Sequence, residues 1–320
     1  ENQLISRTNS SKPSIGLIFL LGTLGAFGPL SMDMYLPSLP LIERQMHTTT
    51  SLTQMSITTC LIGLAVGQLI VGPYSDKHGR KKPLLVGLII FTIISFLCSS
   101  VTSIWVLIIL RFIQGISGAA GLVISRAIAK DLYDGTELTK FFSLLMAVNG
   151  IFPILSPVFG GIILKFTTWK GVFIVLGIIG IILFLAVLFY FKETLAADLS
   201  RENKYKNTLT VIKSLVSDRI FISYALIQGL ITGAMFCYIS GSSFVLQNIF
   251  GLSAQDFSLV FATNGLGIVL MSQITGKLAE KLGENLLLKI GISIAAFGST
   301  ALFISSFLPK YLLLVTIPLF

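Results

Sequence analysis

The chain has 320 residues, of which 54% are hydrophobic and only 12% charged, and its mean hydropathy is +0.89. A water-soluble globule carries about a quarter of its residues as Asp, Glu, Lys and Arg, so the composition excludes one and points to a polytopic, all-α membrane protein. The formal charge is +9, but the bases are spread over many short connections rather than gathered in one patch, which argues against a nucleic-acid partner and for positive loops on the cytoplasmic side.

A spanning helix needs roughly 20 apolar residues, and runs of that length recur about ten times. After a polar start, helix 1 is predicted at about 15–36, with Gly22, Gly25, Gly28 and Pro29 inside it and the acid Asp33 near its outer end. Residues 37–51 read as an external loop, and helix 2 follows at about 52–74. The run Gly72-Pro73-Tyr74-Ser75-Asp76-Lys77-His78-Gly79-Arg80-Lys81-Lys82 reads as a tight, water-facing cytoplasmic loop. Helix 3 is expected at about 83–100 and helix 4 at about 104–127, with Arg111 inside it. Helix 5, at about 138–164, holds Asn149, Gly150, Pro153, Ser156, Pro157, Gly160 and Gly161; prolines kink a membrane helix where neighbours can satisfy the freed carbonyls. Helix 6 covers about 170–191. Helices 7, 8 and 9 follow at about 219–244, 257–275 and 285–307, and a tenth begins near Tyr311.

This order divides the chain into an amino-terminal six-helix half (residues 1–191), a cytoplasmic linker (192–218) and an incomplete carboxy-terminal half (219–320). All but five of the 23 bases then fall on one side of the bilayer, the exceptions being Arg44, Lys165, Lys170, Lys310 and the intramembrane Arg111; the amino terminus is placed in the cytoplasm. Gln68, Gly72, Asp76 and Gly79 have counterparts in Gln273, Gly276, Glu280 and Gly283, the trace of two parallel halves. Cys60, Cys98 and Cys237 fall in apolar runs without CxxC spacing and read as small core residues. His47 and His78 are in loops. No nucleophile, metal cluster or acid pair within one span suggests an enzyme, and no cofactor is expected.

Two charges stand out. An acid within a span costs about 2.5–3.5 kcal/mol on insertion scales and is by default a functional-site candidate, which singles out Asp33. Arg111 lies at a similar depth by helical rise, so the two are expected to be able to pair. Tyr35, Gln114, Asn149, Phe236, Tyr238 and Asn264 are the polar or aromatic residues chosen as candidate walls of a substrate cavity.

The pattern Gly-x3-Asp-x2-Gly-Arg-Lys at Gly72, Asp76, Gly79, Arg80 and Lys81 resembles the signature loop of the major facilitator superfamily of secondary transporters. The segment from Gly28 to Pro37 resembles helix 1 of drug/proton antiporters of the bicyclomycin and chloramphenicol resistance type. Arg-x2-Gln-Gly at Arg111 resembles the helix 4 motif of proton-coupled facilitators. Pro157, Gly160 and Gly161, with Pro153 upstream, resemble the antiporter motif of helix 5, with Ser156 where Gly is usual. Lys192-Glu193-Thr194-Leu195 also resembles this subfamily. The resemblance implies a twelve-helix fold cut short in the tenth helix, a monomer in the inner membrane, and proton-coupled efflux of small, mostly hydrophobic drugs by alternating access. Asp33 and Arg111 would couple protons, while Gly72, Asp76, Gly79, Arg80 and Lys81 would form a cytoplasmic gate in which Asp76 engages the other half. The alternative is a facilitator or symporter for a small metabolite on the same scaffold.

Overall fold

The structure, a computed structural model, describes residues 15–194, 214–305, 307 and 311–319. Residues 1–14, most of the expected linker (195–213) and Lys310 lie outside them. Every regular element among the described residues is helical: α1 Ile15–Asp33, a 3-10 turn Leu36–Ser38, α2 Leu39–Gln45, α3 Thr50–His78, α4 Lys81–Ser100, α5 Ile104–Leu132, α6 Gly135–Phe166 and α7 Trp169–Tyr190. Then come α8 Arg219–Phe244, continued by a π-helical turn Val245–Ile249, α9 Ala254–Leu282, α10 Glu284–Ser305 and α11 Leu312–Leu319. Among the described residues nine helices are long and apolar enough to cross a membrane, where a backbone without water must satisfy its polar groups internally.

Two predicted loops are not loops. Residues 37–51 hold the 3-10 turn and α2, because Pro37 and Pro40 stand in the first turn of each, where a missing N–H is no loss; Thr49 then caps α3 by accepting from Leu52 N at 3.3 Å. The span from Gly72 to Lys82 is helical except at Gly79 and Arg80. The apolar run stops near Tyr74 because the side chains leave the bilayer, while the backbone continues for another turn. For the same reason α5, α6 and α9 outrun their apolar cores at the polar turns.

In the first half α3 lies directly on α5: a Cβ on Gly63 would strike the Phe112 carbonyl, and one on Gly115 the Cys60 carbonyl. Such small-residue contacts hold membrane helices together where the hydrophobic effect cannot. α1 packs on α5 and α6, and α4 on α5 and α7. The core between them holds Leu24, Phe27, Phe91, Phe141 and Phe173. The repeat is visible in the backbone, since α3 and α9 each end on a glycine of positive φ, Gly79 at 88° and Gly283 at 74°, a conformation open to Gly at little cost.

The bundle has two ends, one marked by Arg44 and one by Arg80. The polar contacts that join the halves among the described residues lie at the Arg44 end. There Ser243 Oγ donates to the Leu36 carbonyl at 2.7 Å, Gln247 Nε2 to that of Pro37 at 3.1 Å, and Arg44 Nη2 to Asn248 Oδ1 at 3.0 Å. Gln255 Nε2 donates to the Gly161 carbonyl at 2.8 Å, and from there α6 and α9 pack side by side as far as Gly150 and Val269.

Candidate functional site

Asp33 is the last residue of α1, and the chain turns at once, with Met34 N donating to Leu30 O at 3.0 Å and Tyr35 N to Met32 O at 3.1 Å. Its side chain is half-buried. No hydrogen bond or ion pair holds its carboxylate among the described residues. Since α2 carries the helical path on to Gln45, Asp33 stands further from the chain's exit than a loop at Pro37 implies.

Arg111 is fully buried in α5. Its Nη1 donates to Gln114 Oε1 at 2.6 Å and to the Ser31 carbonyl at 3.4 Å. Its guanidinium carbon sits 4.7 Å from the ring centre of Tyr35 and 5.7 Å from that of Phe173, the geometry of a cation held by aromatic faces. Nε and Nη2 have no hydrogen-bond partner among the described residues. The cluster continues through Gln114 Nε2 to Ser95 Oγ at 2.7 Å and through Tyr35 Oη and Ser56 Oγ, 3.0 Å apart. One polar network thus pins α1, α3, α4 and α5 together.

Among the described residues Asp33 and Arg111 form no ion pair, so the pairing open to them is not made in this conformation. Arg111 reaches Ser31; Asp33, two residues on, leaves a 3.6-residue helix from another flank. Tyr35 and Gln114 are likewise not cavity walls in this conformation. Both are fully buried, because Arg111 needs an aromatic face and an acceptor in place of a carboxylate. Phe173 completes the cage, and no sequence signal separates it from the other 23 phenylalanines.

The helix of the antiporter pattern, α6, meets this region from the other side. A Cβ on Gly160 would strike the Met34 carbonyl, and one on Gly161 would stand 2.6 Å from Ser258 Oγ of α9. Pro157 is buried and Pro153 half-buried beside them. Further along α6, Asn149 faces α1 at Gly25, and its Oδ1 is buried without a hydrogen-bond partner among the described residues. In the second half Asn264 Nδ2 donates to Tyr238 Oη at 2.6 Å, the Tyr238 ring stacks on Phe261 with centres 5.7 Å apart, and Phe236 is half-buried on α8. Cys60 and Cys98 are buried, whereas Cys237 is exposed on α8 and is no core residue.

At the far end, Arg80 is 5% exposed. Its Nε donates to Asp131 Oδ2 at 2.8 Å, and its Nη1 to Ser75 Oγ at 2.9 Å and Asp76 Oδ1 at 2.5 Å. Asp76 thus pairs with Arg80 within its own segment. Glu193, beyond α7, accepts from Arg80 N at 2.8 Å and Lys81 N at 3.0 Å, capping the start of α4, and Lys81 Nζ donates to the Leu188 carbonyl at 2.8 Å. Gly79 must be Gly on two counts, its φ of 88° and a Glu193 Oε2 that would lie 2.6 Å from any Cβ. Gly72 faces Val123 of α5. Asp131 and Glu193 were not singled out as part of this site from sequence; the pattern Lys-Glu-Thr-Leu was the one available signal.

Comparison with known proteins gives one family. Residues 19–320 match the Major Facilitator Superfamily. The chain is 43% identical over 295 residues to an uncharacterized MFS-type transporter, YdgK, of Bacillus subtilis, covering 92% of this chain and 73% of that protein. It is 29% identical over 290 residues to a bicyclomycin resistance protein homolog of Haemophilus influenzae, covering 89% and 72%. It is 31% identical over 242 residues to multidrug resistance protein MdtL of Salmonella paratyphi A, covering 75% of this chain and 61% of that one. Among solved structures, a bacterial homolog of the human lysosomal transporter Spinster superposes with a TM-score of 0.76 at 16% identity, over 97% of this chain and 71% of that one. The nucleoside transporter NupG superposes with a TM-score of 0.70 at 13% identity, over 95% and 77%. A match over nearly the whole chain, two helical repeats ending on equivalent glycines and a bundle of apolar spans agree: the chain belongs to the Major Facilitator Superfamily and is a multi-pass membrane transporter, not an enzyme.

Proposed function

We propose that the chain serves proton-coupled efflux of small, mostly apolar compounds by alternating access, in the cytoplasmic membrane with its amino terminus and Arg80 end inside. The observation that carries this reading is Asp33, a carboxylate within a membrane bundle, half-buried and without a partner among the described residues. Such a group is costly unless it works, and a proton is the simplest ligand for an acid that no base holds. Arg111 supports the coupling role by position: it donates to the carbonyl of Ser31, two residues before Asp33, and is caged by aromatic rings, with two nitrogens unpartnered among the described residues. The names of two relatives, a bicyclomycin resistance protein homolog and a multidrug resistance protein, support drugs as the substrate class. Contacts at the Arg44 end would then shut the outside, with Gly72, Asp76, Gly79, Arg80 and Lys81 in the gate of the opposite face.

The test uses proteoliposomes carrying a pH dye and an imposed proton gradient, with a lipophilic fluorescent compound as substrate. Protons and substrate should move in opposite directions, and Asp33→Asn should reduce gradient-driven transport at least tenfold while the protein remains inserted and folded. Movement of both in the same direction would replace efflux by symport. Full gradient-driven transport by the Asn variant would remove Asp33 from the coupling.

A further inference from the structure

We propose that the cleft between α3 and α4, near the Arg80 end, is a binding site for one anionic phospholipid. α3 packs chiefly on α5, and α4 packs on α7 and on α5, so that α5 floors an open slot of about 400 Å³ between α3 and α4. Its walls are aliphatic: Val71 from α3, Val86 and Ile90 from α4, and Ile113 and Ile116 from α5. Among the described residues only these three helices line it. All three cross the bilayer, so the slot stands in hydrocarbon and an acyl chain is the apolar matter that reaches it.

The mouth has the opposite chemistry. Lys82, His78 and Tyr74 close the slot on the Arg80 side. The Tyr74 and His78 rings stack with centres 4.2 Å apart, and His78 Nδ1 lies 3.1 Å from the Tyr74 carbonyl; amphipathic rings of this kind settle at headgroup level. Close by, Arg80 engages Asp76 and Asp131, and Lys81 donates to the Leu188 carbonyl. Lys82 is exposed and has no hydrogen bond or ion pair within the protein among the described residues. An uncompensated cation over an apolar slot matches a lipid whose headgroup brings a phosphate and no cation of its own.

The experiment places the purified protein in nanodiscs of equal parts phosphatidylglycerol and phosphatidylcholine and counts retained lipids by native mass spectrometry. One phosphatidylglycerol should be retained in preference to phosphatidylcholine. Lys82→Ser should weaken its retention about fivefold, the weight of one lysine at an anionic surface, and Val86→Trp, which fills the slot from an exposed position, should abolish it. Equal retention of the two lipids, or no response to either substitution, overturns the site. A nitroxide at Ile90→Cys, in a Cys237→Ser background, should collide freely with oxygen dissolved in the bilayer. A label shielded from oxygen would mean that another polypeptide segment fills the slot, and the lipid assignment would fall.

Discussion

Arg80 divides its nitrogens between two helices, Nε on Asp131 of α5 and Nη1 on Ser75 and Asp76 of α3. Burial alone would lower the pKa of its guanidinium, yet the hydrogen bonds to Asp131 and Asp76 outweigh it and raise the group above the ordinary arginine value. A cation whose folded pKa is raised stabilises fully below its unfolded pKa, so Arg80 contributes a constant amount across the whole physiological range. It is a strap and not a pH sensor. Removing one partner of a buried pair costs about 3–5 kcal/mol, but the Asp131 side chain is 18% exposed and Asp76 remains. Asp131→Asn should therefore destabilise by about 1–3 kcal/mol, seen as a lower thermal unfolding midpoint in detergent, by the same amount at pH 6 and pH 8. A midpoint that does not move would show that Arg80 is held by α3 alone.

Helices report a second kind of constraint, because two of them can lie closer than any side chain permits. Gly160 of α6 abuts the Met34 carbonyl in the turn after Asp33, while Gly233 of α8 has nothing within 4 Å of where a Cβ would stand. Helix propensity alone favours Ala over Gly at both positions by about 1 kcal/mol; overpacking at Gly160 opposes this by about 1–3 kcal/mol. Gly160→Ala should lower the unfolding midpoint and Gly233→Ala should leave it unchanged or raise it, and the same sign at both sites would show that α6 does not approach Met34 this closely. The number and order of these helices were legible because an apolar run of bilayer length has few other meanings. Their ends were not, since hydropathy reports where side chains meet water and not where backbone hydrogen bonds stop, as Asp76 within α3 makes plain. Asp33 and Arg111 were legible as charges inside apolar spans. Asp131 and Glu193 were not, because at a helix end an acid that caps or clamps is indistinguishable in sequence from one that is merely solvated.

For the whole molecule, the halves meet mainly through donors of the second half aimed at carbonyls of the first. Ser243 and Gln247 reach the Leu36 and Pro37 carbonyls, the first of which also accepts from Leu39 N to close the 3-10 turn, Asn248 bridges Arg44 and Glu43, and Gln54 Nε2 returns a bond to the Ser240 carbonyl at 3.3 Å. Sequence could not show this seam, because most of its acceptors are main-chain atoms and most of its donors are ordinary amides and hydroxyls. A neutral hydrogen bond contributes about 0.5–1.5 kcal/mol net, so each one removed should shift the balance between closed and open arrangements of the Arg44 end by about two- to tenfold. The seam can be read with a disulfide between Gln54→Cys and Ser240→Cys, made in a Cys237→Ser background because the native thiol is exposed one turn away on α8. The pair should cross-link readily in the otherwise unaltered protein. Adding Gln247→Ala should slow cross-linking by about two- to tenfold, and Gln247→Glu should slow it more, since a carboxylate cannot donate to the Pro37 carbonyl and would repel it. Cross-linking at an unchanged rate in both variants would mean that the packing of α6 on α9 alone holds this end shut, and that the hydrogen bonds along the seam follow the closure without stabilising it.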